Sequence, residues 1–153
     1  TIYIETTIPS YYYEQRNELQ FLRKITCDWW DNESINFLLY TSEMVLTELR
    51  TGNYPNKQVI IKLMNNVPIL HINSEISGIA ETYINNFIMP MKHIGDAFHL
   101  AIASYNKIDF LLTWNCEHLA NANKEKHIRI VNERIGLFTP RIITPLQLFT
   151  GRR

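Results

Sequence analysis

"HIGDAFHLAIASYNKIDFLLTWN", residues 93–115, has two unlike halves. From Asp96 to Tyr105, small and apolar residues recur at helical spacing. From Asp109 to Thr113 the apolar residues are contiguous, as in a strand covered on both faces. A buried helix leading into a buried strand is half of a parallel α/β unit. One carboxylate, Asp96, stands at the helix start, and a polar residue, Asn115, follows the strand. Asp96 suits a helix cap; it equally suits a site, if other acidic residues arrive at the same place.

Working outward, four more short apolar or β-branched runs read as strands: "IYIE" (2–5), "NFLLYT" (36–41), "VPILHI" (67–72) and "RIIT" (141–144). Helical periodicity fills the gaps. Residues 17–33 carry Leu19, Leu22, Ile25, Trp29 and Trp30 on roughly one face, so the "WW" pair reads as partly buried in the core. Residues 42–50 follow Ser42, a capping residue, and stop before Gly52. Residues 55–65 place Pro55 in a first turn. Residues 74–87, 96–105 and 123–136 complete the set, the last closing at Gly136. This alternation predicts an α/β fold: a three-layer sandwich with a central, mostly parallel five-stranded sheet and right-handed crossovers.

The chain has 153 residues, enough for one domain; residues 1–150 read as that domain and 151–153 as a disordered tail. Fifteen basic residues balance fifteen acidic ones, so any nucleic-acid contact must come from a local patch. Two distant cysteines, Cys27 and Cys116, fit a reducing cytoplasm, and no apolar run is long enough to span a bilayer. The first ten residues lack the basic-then-apolar order of a secretory signal. Five glycines form neither GxGxxG nor GxxxxGK, which argues against a binder of phosphorylated small molecules.

In open parallel sheets the site lies beyond the carboxyl ends of the strands. Glu5 closes the first strand and Asn115 follows the fourth. Glu48 borders the apolar stripe of Val45, Leu46 and Leu49, and Asp96 opens the helix before the fourth strand. Each alone has an ordinary role: a solvated strand end, a surface glutamate, a cap, a turn. Together they bring like charges to one place, which is costly unless a cation neutralises them. Oxygen ligands of this kind suit Mg²⁺ or Mn²⁺.

"YIETTIPSYY", "SEMVLTEL", "GDAFHLAIA" and "DFLLTWNCEHL" together resemble the PIN domain, and most nearly the VapC-type toxins of toxin–antitoxin pairs. The resemblance covers nearly the whole chain. It implies a metal-dependent endoribonuclease, the toxin of a type II toxin–antitoxin pair, with RNA as substrate, a cognate antitoxin as partner and a homodimer as a further option. It places the family's catalytic acids at Glu5, Glu48 and Asp96, with the fourth position at Asn115. Two departures stand out: Glu replaces the usual Asp at the first position, and the fourth is neutral, with Glu117 nearby. One metal ion is therefore expected to bind better than a second.

On this reading Glu5 and Asp96 hold the cation, and Glu48 is a ligand or orients a water. Thr6 and Thr113 flank the site, and His99 is either packed and satisfied or orients Asp96. Arg16 with Tyr11, Tyr12 and Tyr13 offers phosphate and base contacts, or else a helix packs the tyrosines against the sheet or a dimer partner. Arg50, Lys57 and Lys62 form a basic rim or solvated helix faces. "CEH" at 116–118, taken with His93 or His99, matches no standard structural zinc spacing. The competing reading is a PIN-like domain that has lost catalysis and binds RNA or a protein partner; Asn115 is the residue that favours it.

Overall fold

In the computed structural model, which describes residues 1–151, five strands form one sheet. They are β1 (Ile2–Ile4), β2 (Leu39–Ser42), β3 (Ile69–Leu70), β4 (Phe110–Leu112) and β5 (Arg141–Ile143), in the order β3-β2-β1-β4-β5. Every pairing is parallel, with Tyr3 opposite Tyr40 on one side and Leu111 on the other. Successive strand residues point to opposite faces. Ile2, Tyr3 and Ile4 are all fully buried, so both faces of the central strand are covered. The α/β sandwich read from the sequence is the observed fold.

The strands are shorter than the apolar runs, for local reasons. Residues 34–36 form a turn of 3₁₀ helix whose Phe37 N–H donates to Ser34, so β2 starts only at Leu39. Pro68 has no N–H for the ladder, and the Ile72 N–H goes to the Glu43 carboxylate, which leaves β3 two residues.

Seven helices connect the strands: α1 (Thr7–Tyr12), α2 (Gln20–Asn32), α3 (Glu43–Thr51), α4 (Lys57–Leu63), α5 (Ser74–Asn85), α6 (Ile94–Tyr105) and α7 (Ala122–Arg134). The sequence showed no periodicity for α1, which is separated from β1 by two residues and holds Pro9 in its first turn, where a missing N–H costs nothing. Ser42 caps α3, accepting from Val45 N–H at 3.3 Å. Asn73 caps α5 at 2.8 Å from Ile76 N. Pro55 lies in the turn before α4 instead of inside it.

Helix α6 is the core helix, with Ala97, Leu100, Ala101, Ile102 and Ala103 all fully buried. It begins at Ile94, so Asp96 sits in the first turn and is not the N-cap. That position belongs to His93, whose side chain makes no capping bond. Of the tryptophan pair, Trp29 is buried, with its indole N–H on Leu148 O at 3.0 Å, and Trp30 is half-buried against the core. Gly136 closes α7 at φ +73°, a conformation that favours glycine. Gly52 has an ordinary φ, and its lack of a side chain serves a close approach: a Cβ there would lie 2.3 Å from the Tyr54 ring. Arg152 and Arg153, which carry most of the expected tail, lie outside the described residues.

Candidate metal centre

Glu5 leaves β1 at the carboxyl edge of the sheet and is only 4% exposed. All its protein donors converge on one oxygen. Oε1 accepts from Thr7 Oγ1 at 2.5 Å, Thr113 Oγ1 at 2.6 Å and Thr7 N at 3.1 Å. The two hydroxyls are themselves fixed, since Thr7 Oγ1 accepts from Trp114 N–H and Thr113 Oγ1 from Asn115 N–H. Among the described residues no donor reaches Oε2. Burial pushes the Glu5 carboxyl up, against the opposing pull of the His99 charge and the threonine hydrogen bonds.

Glu48 comes from α3 and repeats the pattern. Its Oε1 accepts from Thr6 Oγ1 at 2.6 Å and lies 2.6 Å from His99 Nε2. Its Oε2 has no donor among the described residues and faces Gly95, where a Cβ would approach to 2.8 Å. Burial opposes the Glu48 charge, yet the His99 hydrogen bond, the His99 charge and Thr6 together hold its carboxyl below the usual range. One oxygen each of Glu5 and Glu48 and one nitrogen of His99 lie within 4.8 Å of one another.

His99 is fully buried and orients Glu48, where the sequence offered Asp96 as its partner. Its other nitrogen lies 2.7 Å from Tyr3 Oη, which lies 2.7 Å from Ser42 Oγ. A carboxylate only accepts, so Nε2 must donate to Glu48. A neutral ring then accepts at Nδ1 from Tyr3, and Ser42 donates to Tyr3. A charged ring donates at both nitrogens, and Tyr3 donates to Ser42. Burial opposes the charged form, but Glu48, Glu5 and Asp96 outweigh it and raise the His99 pKa.

Asp96 stands beside this group. Its carboxylate is grouped instead with one nitrogen each of His93 and His118, again within 4.8 Å. Burial raises its pKa, countered by the His99 charge, the neighbouring Asn115 amide and the His118 charge; Glu48 adds to the rise. The Asn115 Oδ1 accepts from His118 N–H at 3.0 Å.

The candidate substrate contacts are dispersed. Arg16 is exposed and paired with Glu14. Tyr12 donates to Asp31 and Tyr13 packs against the core, while Tyr11 stacks on Trp114 at 6.4 Å and 16°. Thr7, Tyr11, Tyr13, Arg16 and Tyr54 line a cleft of about 640 Å³. A second cavity, about 470 Å³ between α7 and β5, includes none of the acidic candidates. Lys57 is tied to Arg50 O at 2.7 Å.

The residues missed from sequence are Thr7, Tyr3, Gly95, His93 and His118 as neighbours of the acids. They share no linear signal: Tyr3 is the middle of β1, Thr7, His93 and Gly95 lie at helix starts, and His118 is in a turn. Zinc was set aside on spacing; Cys116 is indeed no part of either group, but His118 meets His93 through the fold.

The sequence matches no protein-family model and no curated protein. Solved structures do match. VapC20 of Mycobacterium tuberculosis, a sarcin–ricin loop cleaving toxin, aligns over 72% of this chain and 87% of its own, with a TM-score of 0.55 and 14% identity. A chain of VapBC2 from Rickettsia felis, solved bound to a DNA fragment from the promoter, aligns over 94% of this chain and 98% of its own, with a TM-score of 0.53 and 13% identity. The likeness is one of fold: the chain shares the α/β fold of these two VapC and VapBC structures.

Proposed function

We propose that residues 1–150 act as one PIN-like domain that hydrolyses RNA phosphodiester bonds with Mg²⁺ or Mn²⁺, as the toxin of a type II toxin–antitoxin pair. One observation carries the reading. Glu5 and Glu48 each commit Oε1 to protein donors and leave Oε2 without one, and oxygens of the two lie within 4.8 Å. Hard, donor-free carboxylate oxygens fit a hard divalent cation. Such an ion, when bound, offsets the negative charge and lowers the pKa of water.

The chain's own residues divide the remaining work. Glu5 and Asp96 hold the cation, and Glu48 completes the set or orients water. Thr7 and Thr113 fix Glu5; Thr6 and His99 fix Glu48; Asn115, a neutral neighbour of Asp96, adds no charge, which favours one cation over two. The aromatic cleft opens beside Thr7 and offers unpaired bases faces for stacking, with Arg16 at its rim. Among the described residues no helix is long and apolar enough to cross a membrane; a cytoplasmic site of action, an antitoxin over the acidic pocket and a homodimer belong to the same proposal.

A second reading rests on Asn115: a neutral fourth position suits a PIN-like domain that binds RNA or a protein partner without cutting. Incubation of single-stranded RNA with the protein and Mg²⁺ or Mn²⁺ separates the two. The nuclease reading expects cation-dependent cleavage that Asp96→Asn lowers by two to three orders of magnitude. Binding without cleavage by the unsubstituted chain supports the second reading and defeats the first.

A further inference from the structure

We propose that His93, Asp96 and His118 form a second cation site, selective for a borderline transition-metal ion such as Zn²⁺ and distinct from the Glu5–Glu48 pair. It goes beyond the nuclease reading and shares only Asp96 with it.

Three observations meet here. One nitrogen of each histidine and one Asp96 oxygen lie within 4.8 Å of one another, although the residues come from two segments more than twenty positions apart. The two imidazole rings lie 4.1 Å apart between centroids, with Asp96 Oδ2 3.9 Å from His93 Nδ1. Independently, His118 Nε2 is the one buried side-chain nitrogen or oxygen without a hydrogen bond among the described residues. Buried polar atoms are almost always partnered, and an orphan on an imidazole flanked by a second imidazole and a carboxylate asks for a ligand.

The donor set chooses the ion. Two imidazoles and one carboxylate suit Zn²⁺, Co²⁺ or Ni²⁺, whereas Mg²⁺ prefers oxygen. Tetrahedral zinc with bonds of about 2.0–2.1 Å holds its ligand atoms roughly 3.4 Å apart, so the three side chains close inward on loading. Two of them have room to do so. The side chains of His93 and Asp96 are 38% and 14% exposed. Glu117, its carboxylate 3.5 Å from His118 Nε2 and its side chain 82% exposed, is placed to supply the fourth ligand and a second negative charge. Ligation through Nε2 puts the ring proton on Nδ1. That ends the 3.4 Å contact from Lys124 Nζ, which keeps the Ile88 carbonyl at 2.8 Å.

Co²⁺ is the probe, because its visible absorption reports tetrahedral nitrogen and oxygen ligation. Titration into the full chain should give a one-to-one absorbing complex, displaced by Zn²⁺ but not by a tenfold excess of Mg²⁺. His93→Asn and His118→Asn should each weaken it at least about tenfold. Lys124→Met, which removes a positive charge beside the ring, should tighten it. His93→Asn removes no hydrogen bond, so it keeps the test intact if His118→Asn fails to fold; metal-free melting curves verify both variants. Absence of the absorbing complex, or unchanged affinity in folded His93→Asn, overturns the proposal. A cobalt complex without Mg²⁺-dependent RNA cleavage sinks the nuclease reading alone. Cleavage without the cobalt complex sinks this site alone.

Discussion

Helix α6 contributes to two buried polar groups, one at each end, and they are built on opposite terms. At its C-terminal end Ser104 meets Tyr83 and Asn132. Tyr83 Oη donates to Asn132 Oδ1 at 2.6 Å, and the Asn132 amide reaches Ser104 Oγ, Thr139 Oγ1 and Phe138 O at 3.2 to 3.3 Å. Every member is neutral, and burial pushes the Tyr83 phenol up to about 12, so it stays neutral. At the N-terminal end His99 meets Glu48 and clusters with it and Glu5, while Asp96 stands beside them. There every member ionises, and burial raises the pKa of both Glu5 and Asp96. The first group closes on itself. The second leaves carboxylate oxygens without donors. A fold needs only the first kind of arrangement; the second makes sense as a site that a ligand completes.

Three substitutions sharpen or break this contrast. The largest effect is expected from Asn132→Ala, which leaves several buried groups unpaired and should destabilise the chain by about 2–3 kcal/mol in chemical denaturation. It should leave the stabilisation by Mg²⁺ or Mn²⁺ unchanged. Loss of that cation response would mean that the two ends of α6 are one unit.

Glu5→Gln should act in the opposite direction. With a folded-state pKa above the unfolded one, Glu5 binds more protons in the folded chain. Its contribution to stability is therefore greatest at low pH and falls as pH rises from the ordinary carboxylate range through the raised value. In chelator at neutral pH, Glu5→Gln should melt higher than the unsubstituted chain, by the equivalent of about 0.5–2 kcal/mol. The difference should vanish in acid, and cation should stabilise only the unsubstituted protein. A lower melting point for Glu5→Gln at neutral pH would mean that the charged carboxylate supports the fold and that the contrast is false.

The smallest effect belongs to Thr113→Val, which removes a donor to Glu5 and an acceptor for Asn115 N–H. It should cost no more than about 1.5 kcal/mol. Without this hydrogen bond the Glu5 pKa rises further, so the decline of metal-free stability with pH should shift upward. A cost exceeding that of Asn132→Ala would reverse the ranking on which the comparison stands.

The sheet was legible because buried parallel strands are written as contiguous apolar runs, and Ser42 and Gly136 mark their helix ends in plain residue chemistry. The strand limits were not, because side chains and turns at a distance remove the amides: Glu43 takes the N–H of Ile72, and the 3₁₀ turn takes that of Phe37. Helix α1 and its C-cap carry a proline and three consecutive tyrosines, which show no period; the sequence offered a helix there only as a packing for the tyrosines. Of the site, Glu5 was readable as an acid closing a strand and Glu48 as one bordering a helix's apolar stripe; the fold sets an oxygen of each within 4.8 Å of the other. Their positioning groups were not readable. Thr7, Thr113 and Tyr3 reach their partners through tertiary closeness, and nothing in a linear chain announces that the ring of residue 99 bridges residues 3 and 48. His93 and His118 were discounted on spacing, a measure blind to segments that the fold sets side by side.

Tyr3 touches Ser42, the residue that starts α3, and His99, the residue that grips Glu48 farther along the same helix. The centre strand, the helix start and the carboxylate form a closed circuit. Damage to this circuit would be felt as a folding fault before it was felt as a chemical one, and cellular quality control would remove the faulty chains. Copies that survive are, by that filter, copies in which Glu48 is already aimed.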